Sequence, residues 1–173
     1  MQRWAPSSVE GYCATVELIL LIGLQAAGKT TFYRQRLADG YTHISMDLLR
    51  NNPHPARRQA QLLDEALQAG QSIALDNTNP TVEVRAPLIA LGKQHGYMII
   101  GYYFLPDVAA SVKRNAGREG KTKVPPVAIY GTRKKLQPPA YAEGFDQLYS
   151  VRIAEDVAFL VQPWSEGVTD GPQ

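Results

Sequence analysis

The sequence predicts an α/β fold: a roughly five-stranded parallel sheet flanked by helices, with a small helical lid. Three observations carry that expectation. Short apolar runs alternate with amphipathic stretches through the central region, the pattern of successive strand–helix–strand units. The run Val16–Ile22 is almost wholly apolar, as a strand covered on both faces must be. It leads directly into a glycine-containing loop, Gly23 to Thr30, that opens a helix.

The elements follow in order. Thr30 to Asp39 reads as a helix stopped by Gly40. Tyr41–Met46 is the second strand. After the turn-prone Asn51-Asn52-Pro53, Pro55–Ala69 reads as a helix with Leu63, Ala66 and Leu67 on one face, ended by Gly70. Ser72–Leu75 is the third strand. Pro87 sets the start of the next helix, because past the first turn its ring would clash with the carbonyl four residues back. That helix is therefore expected from Val84 to just before Gly96. Tyr97–Phe104 is the fourth strand, and Asp107 caps a helix reaching about Ala116. Gly117 to Thr122 is polar and glycine-containing and is expected to be mobile. Pro126–Lys135 reads as a helix with proline in its first turn, and Leu148–Ile153 as the fifth strand.

Composition bounds the answer. A length of 173 residues suits one compact domain, and 45% hydrophobic with 20% charged residues excludes a disordered or fibrous chain. The longest apolar run, Val16 to Leu24, is interrupted by Glu17 and Gly23 and is too short to span a bilayer. The N-terminal MQRWAPSSVEGYC lacks the apolar stretch of a secretory signal. Cys13 is the single cysteine, so no internal disulfide is expected. His43, His54 and His95 are scattered, and nothing suggests zinc. These readings imply a soluble, cytoplasmic protein with no membrane partner. Its arm is expected over 1–15, its domain over 16–162 with a lid at about 107–125, and a loose tail over 163–173. Trp4 and Trp164 fall in poorly patterned ends and take no role.

Net charge is only +2, but its distribution is uneven. From Lys113 to Lys135 there are eight Lys or Arg against the single acid Glu119, a local balance of +7. Such a run suits a solvated face, and it equally suits a polyanion, whose condensed counterions each basic contact releases. Alone it does not choose between a nucleotide and a nucleic acid.

Gly23-Leu24-Gln25-Ala26-Ala27-Gly28-Lys29-Thr30 fits G-x-x-x-x-G-K-[ST], a phosphate-binding loop, in the required strand–loop–helix context. Gly23 and Gly28 permit backbone conformations that turn successive N–H groups toward a β-phosphate. The helix N-terminus adds positive potential, Lys29 reaches the β- and γ-phosphates, and the Thr30 hydroxyl can ligate Mg²⁺. A nucleoside triphosphate is the expected ligand.

Such a loop serves kinases, ATPases and GTPases alike. No Asn/Thr-Lys-x-Asp guanine-reading motif is present, and the length leaves no room for the sensor and helical subdomains of motor ATPases. Three features point to phosphoryl transfer onto a bound acceptor. Two strands end in aspartate, Asp47 and Asp76, and in an open α/β sheet ligands sit at the carboxyl ends of strands. A kinase needs one carboxylate to take the acceptor's proton and can use another to orient Mg²⁺. Asp47 could instead cap the segment after it, and Asp76 could open an Asx-turn. Arg50 lies one turn beyond Asp47, so the two share a face if that turn is helical. Arg114 and Arg118, four apart, fit a lid whose arginines close over a triphosphate, or else a solvated helix face.

Taken in order, Gly23–Thr31 (GLQAAGKTT), Gly40–Asp47 (GYTHISMD), Ala74–Pro80 (ALDNTNP), Lys113–Arg118 (KRNAGR) and Tyr130–Phe145 (YGTRKKLQPPAYAEGF) carry a family likeness. The chain resembles the kinase half of polynucleotide kinase-phosphatases and the kinase domain of phage polynucleotide kinase, from about residue 16 to 153. The phosphate loop is generic; DNTNP, YG-x-RK and AEGF are far more specific. The resemblance implies a P-loop kinase fold with strand order 2-3-1-4-5. It also implies transfer of the ATP γ-phosphate to a 5′-hydroxyl end of DNA or RNA, an end-healing step of nucleic acid repair.

Residue by residue, the resemblance gives Lys29 and Thr30 the phosphates and Mg²⁺, with Gly23, Gln25, Ala26, Ala27, Gly28 and Thr31 completing the nucleotide loop. Asp47 is implied as general base. Arg50 matches an arginine contacting the acceptor end, and Arg118 and Arg114 match lid arginines. Asp76 matches the aspartate ending the third strand, a metal candidate with Thr30 and a substrate-binding candidate with Asn77, which follows it on the acceptor side. Met46 departs from the family, which has a basic residue there. The spacing from Arg118 to Val124-Pro125 also differs from the phage pattern, so Lys121 and Lys123 take no role. There is no D-x-D-G-T phosphatase motif, ligase lysine motif or forkhead-type domain, so the kinase is expected to work alone or with separate chains.

Two other readings stay open. One is a P-loop kinase of a small hydroxylated metabolite or nucleoside, with Arg50 on a substrate anion. The other is an ATP-gated binding module without transfer activity. No motif chooses DNA or RNA, the end geometry, the nucleotide donor or the oligomeric state.

Overall fold

The computed structural model describes residues 15–154 and 158–165. The expected arm up to residue 14, with Trp4 and Cys13, and the tail from residue 166 lie outside the described residues. Among the described residues six strands form one sheet: β1 (Glu17–Ile22), β2 (Thr42–Ile44), β3 (Ile73–Asp76), β4 (Met98–Phe104), β5 (Gln147–Ile153) and β6 (Phe159–Pro163). Their spatial order is β2-β3-β1-β4-β5-β6. The first five are parallel, in the order the resemblance implies, and β6 runs antiparallel to β5.

β1 is the central strand, paired with β3 and β4, and Leu18, Leu20, Leu21 and Ile22 are fully buried. Burying each such side chain contributes about 1.5–3 kcal/mol, which is why the most apolar run of the sequence takes the middle of the sheet. The α-helices among the described residues are α1 (Lys29–Arg36), α2 (Pro55–Gln68), α3 (Val82–Gln94), α4 (Val108–Ala116) and α5 (Pro126–Lys135). Phe32 of α1 packs on Tyr102 and Phe104, whereas Gly92 of α3 lies against Ile99. Those β4 residues have opposite parity, so α1 and α3 cover opposite faces of the sheet. Among the described residues, no helix is long and apolar enough to cross a membrane.

The structure corrects several boundaries. α1 ends at Arg36 rather than Asp39, and β2 keeps only Thr42–Ile44. α3 begins at Val82, not Val84, which leaves Pro87 inside the helix. The early start holds because the first-turn amides have partners: Val82 N–H donates to Gln137 Oε1 at 2.8 Å and Val84 N–H to Thr81 Oγ1 at 3.4 Å. Pro87 and Glu83 are both exposed, so water can take the place of the missing helical bond.

The Gly117–Thr122 segment follows α4 directly. It contains a short 3₁₀ turn, Gly120–Thr122. The buried Asn115 clips its return: Nδ2 donates to the Val124 carbonyl at 2.7 Å, and Oδ1 accepts the Val124 N–H at 3.0 Å. β6 has no counterpart in the sequence expectation. Its anchor Phe159 is buried, but Leu160 to Pro163 are exposed at a sheet edge, so no burial pattern marks it. Trp164 belongs to the core: its backbone N–H donates to the Leu148 carbonyl at 2.9 Å and its ring meets Tyr103 edge-on at 5.4 Å.

Candidate active site

The phosphate loop joins β1 to α1 at the carboxyl edge of the sheet. Ala26 (φ 58) and Gly28 (φ 93) take left-handed conformations that turn the loop around the start of α1. Glycine suits position 28 because an L side chain is strained at that φ, and a Cβ there would also have to displace Ile153 Cδ1, 2.8 Å away. Lys29 is buried and its ammonium folds back over the loop, donating to the carbonyls of Gly23 (3.1 Å) and Leu24 (2.6 Å). Burial pushes the Lys29 pKa down to about 8, with Arg118 adding to the fall while the Asp76 and Asp47 carboxylates oppose it.

Asp76 ends β3 beside this loop. Its Oδ2 accepts from Thr30 Oγ1 at 2.7 Å and lies 3.0 Å from His43 Nε2. Burial alone would raise the Asp76 carboxyl, but the bonds from His43 and Thr30 and the nearby Lys29 charge outweigh it, holding the group below its usual value. The His43 ring is itself fixed, stacked on Tyr33 with centroids 3.9 Å apart.

Asp47 leads the 3₁₀ turn Met46–Leu49 after β2. Ser45 Oγ accepts the Asp47 N–H at 3.2 Å and donates to the Asp76 carbonyl at 2.8 Å, so one hydroxyl ties the two aspartate-bearing strand ends together. Asp47 is 60% exposed, and Arg50 grips it from one turn along. Both of Arg50's bonds, from the η-nitrogen at 2.6 Å and Nε at 3.2 Å, fall on Oδ1.

These groups line one cleft of about 480 Å³, with Gln25 to Thr30, Asp47, Arg50, Asp76, Asn77 and Arg118 in its wall. Of the residues expected at the site, Gly23, Thr31 and Arg114 stay out of that wall. Gly23 instead supports the loop from behind, and Thr31 is exposed on α1. Arg114 donates from Nε to the Ala26 carbonyl at 2.7 Å, pinning α4 to the phosphate loop. Lys121 donates to Asn51 Oδ1 at 2.6 Å, joining the segment after α4 to the one that follows Arg50.

The specific motifs prove to be wiring. In Asp76-Asn77-Thr78-Asn79-Pro80, Asn77 Oδ1 holds the Met46 N–H at 3.0 Å, while the Thr78 carbonyl accepts from Gly23 N–H at 3.0 Å. Asn79, left-handed at φ 43 and buried, donates to the Leu21 carbonyl at 2.8 Å. Glu143 of AEGF makes a bidentate pair with Arg85, fully buried, at 2.7 and 2.8 Å. Arg85 also donates to the carbonyls of Asn79 and Gln137. Sequence reasoning missed both Arg85 and His43. A mid-helix arginine and a lone strand histidine look like surface residues until pairing partners far along the chain are known.

The residues fit the ligands that the loop implies. The loop amides and the start of α1 face an anion site. Thr30 Oγ1 and Asp76 Oδ2, adjacent at 2.7 Å, offer hard oxygens from two elements. Among the described residues no cluster of three or more His, Cys, Asp or Glu could hold a metal. Mg²⁺ is suited to such a sparse site, because it keeps its waters and takes its other ligands from phosphates.

A family model described as an AAA domain matches residues 18–139. The bifunctional polynucleotide phosphatase/kinase of Acanthamoeba polyphaga mimivirus is 31% identical over 157 residues, covering 85% of this chain and 36% of that protein. That of Schizosaccharomyces pombe is 24% identical over 139 residues, covering 78% of this chain and 33% of the relative. The chain therefore spans about a third of the length of these relatives. Among solved structures, a fungal RNA kinase superposes with a TM-score of 0.59 at 19% identity, over 83% of this chain and 78% of that one. A chain of the Pnkp1/Rnl/Hen1 RNA repair complex gives 0.62 at 19% identity, over 96% and 55%. At those identities the structural likeness is one of fold. With its phosphate loop, Asp47 and Asp76 all inside the matched span, the chain belongs to the AAA-domain family of P-loop proteins.

Proposed function

We propose that the chain is a kinase that moves the γ-phosphate of ATP, with Mg²⁺, onto the 5′-hydroxyl end of DNA or RNA. The observation that carries this reading is the setting of Asp47. It is a solvent-accessible carboxylate in the wall of the phosphate-loop cleft, its charge felt at Lys29 and its arginine bonds confined to Oδ1. Oδ2 is thus the atom to receive a proton. The names of the curated relatives support the acceptor class.

The start of α1 and Lys29 bind the phosphates, and Arg118 in the cleft wall spreads charge that builds on the transferred group. Thr30 and Asp76 would hold Mg²⁺, which when bound neutralises charge on the β- and γ-phosphates. Asp47 takes the acceptor proton as the 5′-oxygen bonds to the γ-phosphorus and the bond to the β–γ bridging oxygen breaks, releasing ADP. Arg50 holds the base in place and faces the acceptor end.

Labelled γ-phosphate transfer from ATP·Mg²⁺ to 5′-hydroxyl oligonucleotides tests the reading, with Lys29→Ala and Asp47→Ala proteins and a pool of nucleosides and sugars alongside. Label on the oligonucleotide that is lost in both variants is expected. Label confined to the small-molecule pool would move the acceptor to a metabolite, and no transfer at all would leave a nucleotide-binding module.

A further inference from the structure

Beside Asp47 the cleft wall turns apolar: Met46, Pro80, Val84 and Val124 all line it. Met46 directly precedes Asp47 after β2, and Pro80 and Val84 follow β3. Asn77 Oδ1 accepts the Met46 N–H at 3.0 Å, which joins the turn carrying Asp47 to the segment carrying Pro80 and Val84. Val84 stands out in this wall. It is 45% exposed, an apolar side chain open to the cleft in the first turn of α3. Its place is fixed on both sides, by Thr81 Oγ1 on its N–H and by the buried Arg85 that follows it.

β2 and β3 lie on one side of β1, and β4 and β5 on the other, with the phosphate loop leaving the end of β1. In-line transfer puts the entering and leaving oxygens on opposite sides of the γ-phosphorus. With Asp47 receiving the proton of the entering oxygen, the β2–β3 side belongs to the acceptor, and the donor's nucleoside lies away from it. A phosphate or a sugar hydroxyl gains nothing from Met46, Pro80 and Val84, whose side chains carry no N–H or O–H group. The terminal nucleobase does gain, since its flat faces are apolar and it hangs one sugar ring from the 5′-oxygen. Contact through a face rather than an edge leaves the hydrogen-bonding pattern of the base unread.

We propose that Val84, with Pro80 and Met46, forms a subsite that holds the base of the acceptor's terminal nucleotide by its face. An end that carries a base is therefore preferred over one without, whichever base it is. The assignment rests on the end-kinase reading above and deepens it.

The test measures kcat/KM for single-stranded 5′-hydroxyl oligonucleotides, in DNA and RNA form, whose terminal nucleotide carries one of the four bases or a hydrogen in its place. With the native protein the four bases are expected to agree within about threefold and to exceed the abasic end by roughly five- to tenfold. In Val84→Ser the abasic end should keep its rate while the preference for a base falls to roughly twofold. Val84→Leu should retain the preference. The KM for ATP should hold in both variants, with thermal melting confirming a folded protein. A native protein that uses the abasic end as well as the others overturns the assignment. So does a preference that survives in Val84→Ser, a loss shared equally by base-bearing and abasic ends, or a spread among the four bases wider than the gap to the abasic end. A raised KM for ATP in Val84→Ser with the preference unchanged overturns it too, giving the wall to the donor's base. Absence of label on every oligonucleotide overturns the end-kinase reading itself, and this assignment with it.

Discussion

Asp47 comes with its own counterion, and the division of its two oxygens gives the clearest residue-scale expectation. Asp47→Asn keeps the shape and the Arg50 contact at Oδ1 but cannot take a proton. Its kcat should fall about 10²–10⁴-fold with ATP binding retained, as single-turnover rates and nucleotide titration would reveal. His43 acts one step further out, through Asp76 Oδ2. Its replacement by Ala should weaken divalent-cation affinity by roughly 10–100-fold, visible in Mn²⁺ titration followed by electron paramagnetic resonance as well as in the Mg²⁺ dependence of rate. Lys29 sets a pH limit. With its folded pKa pushed down to about 8 from an unfolded 10.5, the ligand-free native state binds fewer protons than the unfolded chain between those values. Stability should therefore rise with pH across that window and be lowest below it, a slope that Lys29→Met removes in denaturant melts. ATP binding needs the charged form and should weaken as pH climbs above 8. The loop, Lys29, Thr30, Asp47, Arg50 and Asp76 were all legible in the sequence because a short spacing or a strand end encodes each. His43 was not, since its partner lies 33 residues away.

Among the elements, α3 is tied to the 3₁₀ turn Tyr141–Glu143 by one buried ion pair. Arg85 has no exposed surface and satisfies the Glu143 carboxylate along with the Asn79 and Gln137 carbonyls. Removing it strands a buried charge and two acceptors. Arg85→Met should cost about 3–5 kcal/mol, and Arg85→Met with Glu143→Gln distinctly less than the sum of the single changes, measured as a double-mutant cycle in urea. This contact also explains the start of α3. From Pro87 alone the helix was expected at Val84, but the partners of Val82 and Val84 and the burial of Arg85 outweigh one missing backbone bond on an exposed face. DNTNP and AEGF stand out in the sequence as motifs without a visible reason. The reason is tertiary: Asn77 sets the Met46 amide, Asn79 ties β3 to β1, and Glu143 holds Arg85. β6 stays hidden for the converse reason, because an edge strand with only its first residue buried leaves no alternation to read.

For the whole molecule, the uneven charge noted in the sequence becomes a surface. Lys113, Lys121, Lys123, Lys134 and Lys135 are all exposed on or near α4 and α5. Of these, Lys121 bonds Asn51, and Lys123 donates to the Ala116 carbonyl at the end of α4. Lys134 and Lys135, by contrast, close the α5 helix that anchors Gln25 through Thr132. A strand whose 5′ end lies in the cleft would be drawn along that helix, whereas a small acceptor would not reach it. The two acceptor classes therefore part on salt. A polynucleotide end should show log kcat/KM at subsaturating acceptor falling linearly with log salt, by roughly 0.7 for each phosphate neutralised on a single strand. Lys134→Gln with Lys135→Gln should flatten the line by about that amount for each phosphate left without its lysine, while the rate at saturating acceptor changes little. A flat salt dependence in the native protein would mean that these lysines only solvate the fold and that the acceptor ends inside the cleft.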